Sequence, residues 1–191
     1  MYIEVTCSNC NNVSTAFENF LSLHLDLLKA QNLLPCCSSE TISISDCLKS
    51  LCGPEELYGS NKFFCPKCKD HQTSMKKLLF YKHPKILIVH LKRFTKEYGS
   101  AKKLVMPIFV DGNLKLNALN ISHPNSPIYN YRLYAIVNHY GNLEGGHYTA
   151  DCHSLKDDNW YNFNDSTVNK TKSNENLTLN GAYILFYSRE K

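Results

Sequence analysis

Three features of the sequence predict an α+β protein dominated by a mostly antiparallel sheet. From Lys85 onward, apolar runs and period-two alternation recur with little between them but polar turns. A single segment near residue 45 has the spacing and punctuation of a helix. Two C-x-x-C knuckles, Cys7-Ser8-Asn9-Cys10 and Cys65-Pro66-Lys67-Cys68, mark the N-terminal part. With 191 residues, 43% hydrophobic and 20% charged, the chain can build one domain with a protruding subdomain.

The elements follow in order. "YIEVTCSNC" alternates from residue 2, so the first strand starts with no lead-in, as if in mid-fold. "SISDCLKSLCG" predicts a short helix with Ser45 as N-cap, Leu48, Leu51 and Cys52 on one face, and Gly53 ending it. "KILIVHLKRF", Lys85 to Phe94, is a nearly continuous apolar run of the kind buried on both faces. "YNYRLYAIVNHYG" follows a Pro/Asn/Ser-rich loop at Ser122 to Pro127. "HYTADCHS" alternates, "NWYNFND" is an aromatic-rich strand, and "GAYILFYSR" is another buried one. Four or five strands are expected there, and residues 1 to about 80 are expected as a separate subdomain.

Charge and hydropathy exclude some classes. A net +4, spread out and without a basic run, argues against a nucleic-acid-binding tail. The longest uninterrupted apolar stretch, Ile86 to Val89, is far short of the ~18 residues of a membrane span, and no signal pattern opens the chain. An intracellular protein, cytoplasmic or nuclear and without membrane insertion, is expected. Nine cysteines cannot all pair within one chain, which fits metal or thiol chemistry in a reducing compartment.

The two knuckles let Cys7, Cys10, Cys65 and Cys68 offer the four soft ligands of one tetrahedral structural zinc. The alternative is four unligated buried cysteines. The long separation of Cys10 from Cys65 points to a clip joining two hairpins rather than a small self-folding finger. No helix is expected after either pair, which disfavours a redox motif. Cys36, Cys37, Cys47, Cys52 and Cys152 lack ligand spacing and read as small buried residues.

Of eight histidines, His147 has a distinct context. Gly145 and Gly146 precede it without side chains, leaving room for another backbone to approach, and Gly141 adds a hinge. Further on, Asn164 and Asp165 end a strand that could pair beside that of His147. An acceptor there could take the imidazole Nδ1–H, fix the tautomer and leave Nε2 free to accept a proton.

These residues carry a resemblance. "YRLYAIVNHYGNLEGGHYTADC", then "NWYNFNDSTV" and "AYILFYSR", preceded by "ILIVHLKRF" and the two knuckles, closely resemble the second half of the catalytic domain of the ubiquitin-specific proteases, in the family's order. The resemblance implies a papain-like fold: zinc-bound β fingers with a connecting helix over 1–80, a palm over 81–189, and the thumb portion missing. It implies His147 as general base, Asn164 as its orienting partner and Asp165 as a supporting polar residue. It further implies Cys7, Cys10, Cys65 and Cys68 as the zinc ligands, and Gly141 to Gly146 as a mobile loop gating a channel. Gly145, Gly146 and Tyr148 would line that channel for the Gly-Gly tail of ubiquitin. The implied partners are ubiquitin and ubiquitinated proteins, with no nucleic acid.

In that family the attacking cysteine lies in a segment resembling Gly-Asn-Thr-Cys, ahead of the fingers; these 191 residues contain no such segment. Cys152, five residues beyond His147 on one extended segment, is carried well away from the imidazole. The expectation is therefore a deubiquitinating thiol protease present as a fragment, inactive alone. The alternatives are a ubiquitin-binding pseudoprotease, a half-domain completed by another chain, and a zinc-dependent nucleic-acid module.

Overall fold

A four-stranded and an eight-stranded sheet, with three two-stranded pairs beside them, account for the described strands, and the N-terminal part contributes to both large sheets. In the structure, a computed structural model that describes residues 1–33, 41–97, 100–116, 118–127, 129–172 and 176–190, β1 (Tyr2–Cys7) turns at the first knuckle into β2 (Val13–Phe17). The chain then leaves that sheet. The alternating leucines of β3 (Leu23–Asp26), α1 (Leu27–Gln31) and α2 (Ile44–Cys52) bury against the larger core. It returns through β4 (Glu55–Leu57), the hairpin of β5 (Phe63–Cys65) and β6 (Asp70–Gln72), and β7 (Ser74–Leu79). The order β2-β1-β7-β4 makes a four-stranded antiparallel sheet. Residues 1–80, expected as one unit, are thus distributed over both sheets, because the apolar side chains of 23–52 find their partners in the larger core.

The helix α2 begins earlier than expected. Its N-cap is Ser43, not Ser45: Ser43 Oγ accepts from the Asp46 amide at 3.0 Å, and Asp46 Oδ2 accepts from the Ser43 amide at 3.1 Å. This reciprocal capping box satisfies two amides that a helix start would otherwise orphan. Ser45 instead donates its amide to Asp111 Oδ2 at 3.0 Å, tying the helix to the core. Ile44, Cys47, Leu48 and Cys52 form the buried face, Leu51 packs at its margin, and Gly53 ends the helix as expected.

The second half supplies β8 (Ile86–Lys92), β9 (Phe94–Glu97), β10 (Ser100–Lys103), β11 (Ile108–Val110), β12 (Asn113–Lys115) and β13 (Asn130–Gly141). It continues as β14 (Gly146–His153), β15 (Trp160–Asn164), β16 (Thr167–Thr171), β17 (Leu177–Leu179) and β18 (Ala182–Arg189). An eight-stranded sheet runs β16-β15-β14-β13-β18-β8-β3, with β12 also on β13. Seven of these eight strands follow Lys85, more than the four or five expected there, since a short strand such as β12 has too few residues to show a period. All its pairings are antiparallel except β3 with β8.

The run "KILIVHLKRF" is covered on one face only. Leu87, Val89 and Leu91 are fully buried, while Ile86 is 44% exposed and Ile88 and His90 are half-buried. Just after it, Arg93 is wholly buried and donates to three main-chain oxygens: Nε to Ala182 at 2.6 Å, and Nη1 to Leu104 at 3.0 Å and Met106 at 2.9 Å. Burial pulls its pKa down to about 10. The guanidinium thereby ties the segment after β10 to the start of β18, which neighbours β13 in the larger sheet.

Candidate functional site

The two knuckles converge at one end of the four-stranded sheet. Cys7 and Cys10 sit in the turn from β1 to β2, and Cys65 and Cys68 in the turn from β5 to β6. Both turns repeat one geometry: the Asn11 amide donates to Cys7 O at 2.9 Å and the Lys69 amide to Cys65 O at 2.8 Å, with φ of 55° and 57° at those two residues. The four sulfurs lie within 4.8 Å of one another, with 4.0 Å between Cys7 and Cys68 and 3.5 Å between Cys10 and Cys65. A tetrahedral zinc with bonds near 2.3 Å needs sulfurs about 3.8 Å apart, so spacing and donor type both fit. The Cys68 amide donates to Cys65 Sγ at 3.5 Å; that bond first, with the Cys10 thiol and the Lys67 amide, lowers the Cys65 pKa to about 7 against the cost of desolvation.

In the eight-stranded sheet, β14 and β15 bring His147 and Asn164 together. The pairing Ala150 with Phe163, carried one step on, sets Asn164 opposite Thr149, on the face that also bears His147. His147 Nε2 donates to Asn164 Oδ1 at 2.6 Å. A carbonyl oxygen can only accept, so the proton is on Nε2 and the lone pair on Nδ1. This corrects the expected assignment: the ring presents Nδ1, not Nε2, as its basic nitrogen, because β15 lies beyond the ring rather than beside its Cβ. Asp165 follows in a tight turn with φ of 48°, and its carboxylate makes no hydrogen bond among the described residues.

The glycines before His147 have uses that the sequence did not distinguish. A Cβ on Gly145 would meet nothing within 4 Å, so that position is open as expected. A Cβ on Gly146 would lie 2.1 Å from His139 Nε2 and 2.6 Å from Tyr140 O. The space at Gly146 is therefore filled by the molecule's own imidazole, not left for another backbone. Gly141, with φ of 111°, closes the hairpin against Gly146. The loop between them is internally tied: the Asn142 amide donates to Gly145 O at 2.9 Å, and Asn142 Oδ1 accepts from the amides of Glu144 at 2.9 Å and Gly145 at 3.1 Å. Tyr148 is 55% exposed and its ring lies 4.7 Å from that of His139.

Beneath this pair lies a polar network absent from the sequence reading. Asp151, buried, accepts from Asn138 Nδ2 and from Asn162 Nδ2, both at 2.7 Å, and so joins β13, β14 and β15. Alternation from His147 through Thr149 places Asp151 on the same face, and that period was the available signal.

The remaining described cysteines face elsewhere. Cys152 is paired between Ala135 and Tyr161 on the opposite face of β14 from His147, with a pKa raised by burial and then by Asp151. Cys47 and Cys52 lie in the core, where burial pushes both thiols up to about 12. Cys36 and Cys37 lie outside the described residues. No described helix is long and apolar enough to cross a membrane.

Comparison with known proteins adds a family to this geometry. Residues 1–187 match the family model described as ubiquitin carboxyl-terminal hydrolase. Ubiquitin carboxyl-terminal hydrolase 9 of Arabidopsis thaliana is 42% identical over 154 residues, 78% of this chain and 16% of that protein. Ubiquitin carboxyl-terminal hydrolase 15 of Homo sapiens is 37% identical over 153 residues, 78% of this chain and 15% of that protein. The chain thus spans about a sixth of the length of the curated relatives it matches. Among solved structures, a chain of the SAGA Ubp8/Sgf11/Sus1/Sgf73 DUB module bound to ubiquitin aldehyde superposes with a TM-score of 0.79 at 29% identity, covering 100% of this chain and 41% of that one.

Proposed function

We propose a role that starts from one premise: the chain belongs to the ubiquitin carboxyl-terminal hydrolase family. Its role is to supply the base half of a cysteine-type deubiquitinase, with a zinc-clipped β subdomain that helps hold ubiquitin. The observation that carries this is the 2.6 Å bond from His147 Nε2 to Asn164 Oδ1, which leaves a lone pair on Nδ1. A thiol brought to Nδ1 would give up its proton there, and the thiolate would attack the carbonyl carbon of ubiquitin's terminal glycine. The imidazolium would then protonate the departing amine, and water would hydrolyse the thioester. Asn164 fixes the tautomer but, being uncharged, stabilises the imidazolium less than a carboxylate would; Asp165 is the nearest residue in sequence able to add charge.

On this reading none of the described cysteines is the nucleophile, which another segment would supply. Cys152 faces away from His147, and Cys47 and Cys52 are buried as neutral thiols. Gly145 and Tyr148 remain the candidates for contact with a narrow Gly-Gly tail, with Gly146 shaping the channel floor through His139. Zinc, when bound by Cys7, Cys10, Cys65 and Cys68, supplies cross-linking rather than chemistry, since four thiolates leave it no open position.

The test fuses the nucleophile-bearing segment of a relative upstream of Met1. The fusion should hydrolyse a ubiquitin C-terminal amide, and His147→Ala should abolish turnover while ubiquitin binding persists. The unfused chain should bind ubiquitin yet form no adduct with a ubiquitin-derived electrophile. Capture at Cys36, Cys37, Cys47, Cys52 or Cys152 would overturn the assignment of the nucleophile. Binding without hydrolysis by the fusion would favour a ubiquitin-binding pseudoprotease.

A further inference from the structure

The hairpin that carries His147 is held from outside by one side chain. Lys103, the last residue of β10, donates from Nζ to His139 O at 2.8 Å and to Gly141 O at 3.0 Å. Both acceptors belong to the end of β13, on either side of the Tyr140–His147 pair. These are charge-assisted bonds to main-chain oxygens, stronger than neutral ones, and the ammonium has no carboxylate partner among the described residues. The contact is reinforced from the neighbouring strand. Phe94, paired with Lys103 across β9 and β10, packs its ring 5.5 Å from that of His139, whose Nε2 fills the place of a Cβ on Gly146. The two rungs of β13 and β14 that flank the Tyr140–His147 rung are therefore pinned by the β9–β10 hairpin, a segment remote in sequence from the base.

We propose that Lys103 is a positioning residue: by holding the carbonyls of His139 and Gly141 it keeps the 142–145 loop and His147 in one orientation, and couples them to the β9–β10 hairpin. This rests on the reading of His147 as the base. The loop is then a braced hairpin rather than a free gate, and any movement of the β9–β10 hairpin is transmitted to the imidazole. Gly141 suits the arrangement, because its φ of 111° aims its carbonyl where few other residues could.

The test compares the wild-type chain with Lys103→Met and Lys103→Arg by amide hydrogen exchange and by the ¹⁵N shifts of the His147 ring. Lys103→Met should speed exchange across residues 139–149 at least about tenfold, while β8 and the zinc end keep their protection. The His147 ring should pass from a single Nε2–H tautomer to a mixture. Lys103→Arg, whose fork can also serve two acceptors, should restore both signals. Unchanged exchange in Lys103→Met would overturn the proposal, as would faster exchange spread evenly over the chain, which marks a general structural role. Faster local exchange with a wild-type ring already of mixed tautomer would leave the brace standing and count instead against the His147–Asn164 reading.

Discussion

Replacing Gly146 with alanine tests the packing around the candidate base most directly. The added methyl would sit 2.1 Å from His139 Nε2, 2.8 Å from His139 Cε1 and 2.6 Å from Tyr140 O, where 3.4 Å begins ordinary contact. Neither neighbour can retreat cheaply. The His139 ring is 4% exposed and hemmed in by Phe94, Tyr148 and Tyr183, and Tyr140 O belongs to the rung paired with His147. Overpacking of this kind costs about 1–3 kcal/mol, and a backbone atom among those struck places the change toward the upper end. With a urea m-value near 2 kcal/mol/M, the unfolding midpoint should fall by about 1 M. Gly145→Ala, where a methyl meets nothing within 4 Å, is the internal control and should stay within about 0.5 kcal/mol of wild type. Adding His139→Ala to Gly146→Ala should recover at least about 0.5 kcal/mol relative to the sum of the single changes. Equal midpoints for Gly146→Ala and wild type, or an equal loss in Gly145→Ala, would refute the reasoning.

Other outcomes follow from the same geometry. Protein purified without chelators should hold one zinc, and stripping it should raise amide exchange in β1, β2, β5 and β6 before the larger sheet; a metal-free protein with unchanged protection would count against the clip. Cys47 and Cys52, held near 12 by burial against an ordinary 9, stay neutral in the folded chain while the unfolded chain ionises. The unfolded state then binds fewer protons, so these two thiols contribute a loss of stability as pH rises from 9 toward 12. Replacing both by alanine should flatten that part of a denaturation-versus-pH curve, and an unaltered slope would exclude them as its source. Ser43→Ala, which removes half of the capping box, should cost about 1 kcal/mol in thermal or urea unfolding. In the active fusion, Asn164→Ala should lower kcat at least about tenfold with little change in ubiquitin binding.

Much of this was legible in the residues because it depends on short-range pattern. The two C-x-x-C spacings reported the four-cysteine cluster, alternation reported β14, apolar and aromatic runs reported β13, β15 and β18, and the glycines singled out His147. What was hidden depends on which element lies across from which. The ring nitrogen that meets Asn164 is decided by where β15 runs relative to the His147 side chain, and spacing along the chain carries no record of that. Lys103 and His139 sit 36 residues apart and meet only because β9–β10 folds back beside β13. The capping error had a nearer cause: Ser43 with Asp46 and Ser45 compete within three positions, and only the hydrogen bonds separate them. Leu23 to Asp26 escaped notice as a core strand because four residues with two leucines fit almost any local structure.

The four-stranded sheet that carries the cysteine cluster is discontinuous: residues 2–17 and 55–79 build it, and β3, α1 and α2 between them pack in the larger core. It is therefore not a cassette. A single cut-and-paste recombination could not move it intact into another protein, and two cuts would carry β3 and both helices with it. Substitutions that tune what this sheet touches must accumulate in place, residue by residue, under the constraint that the intervening chain still completes a distant core.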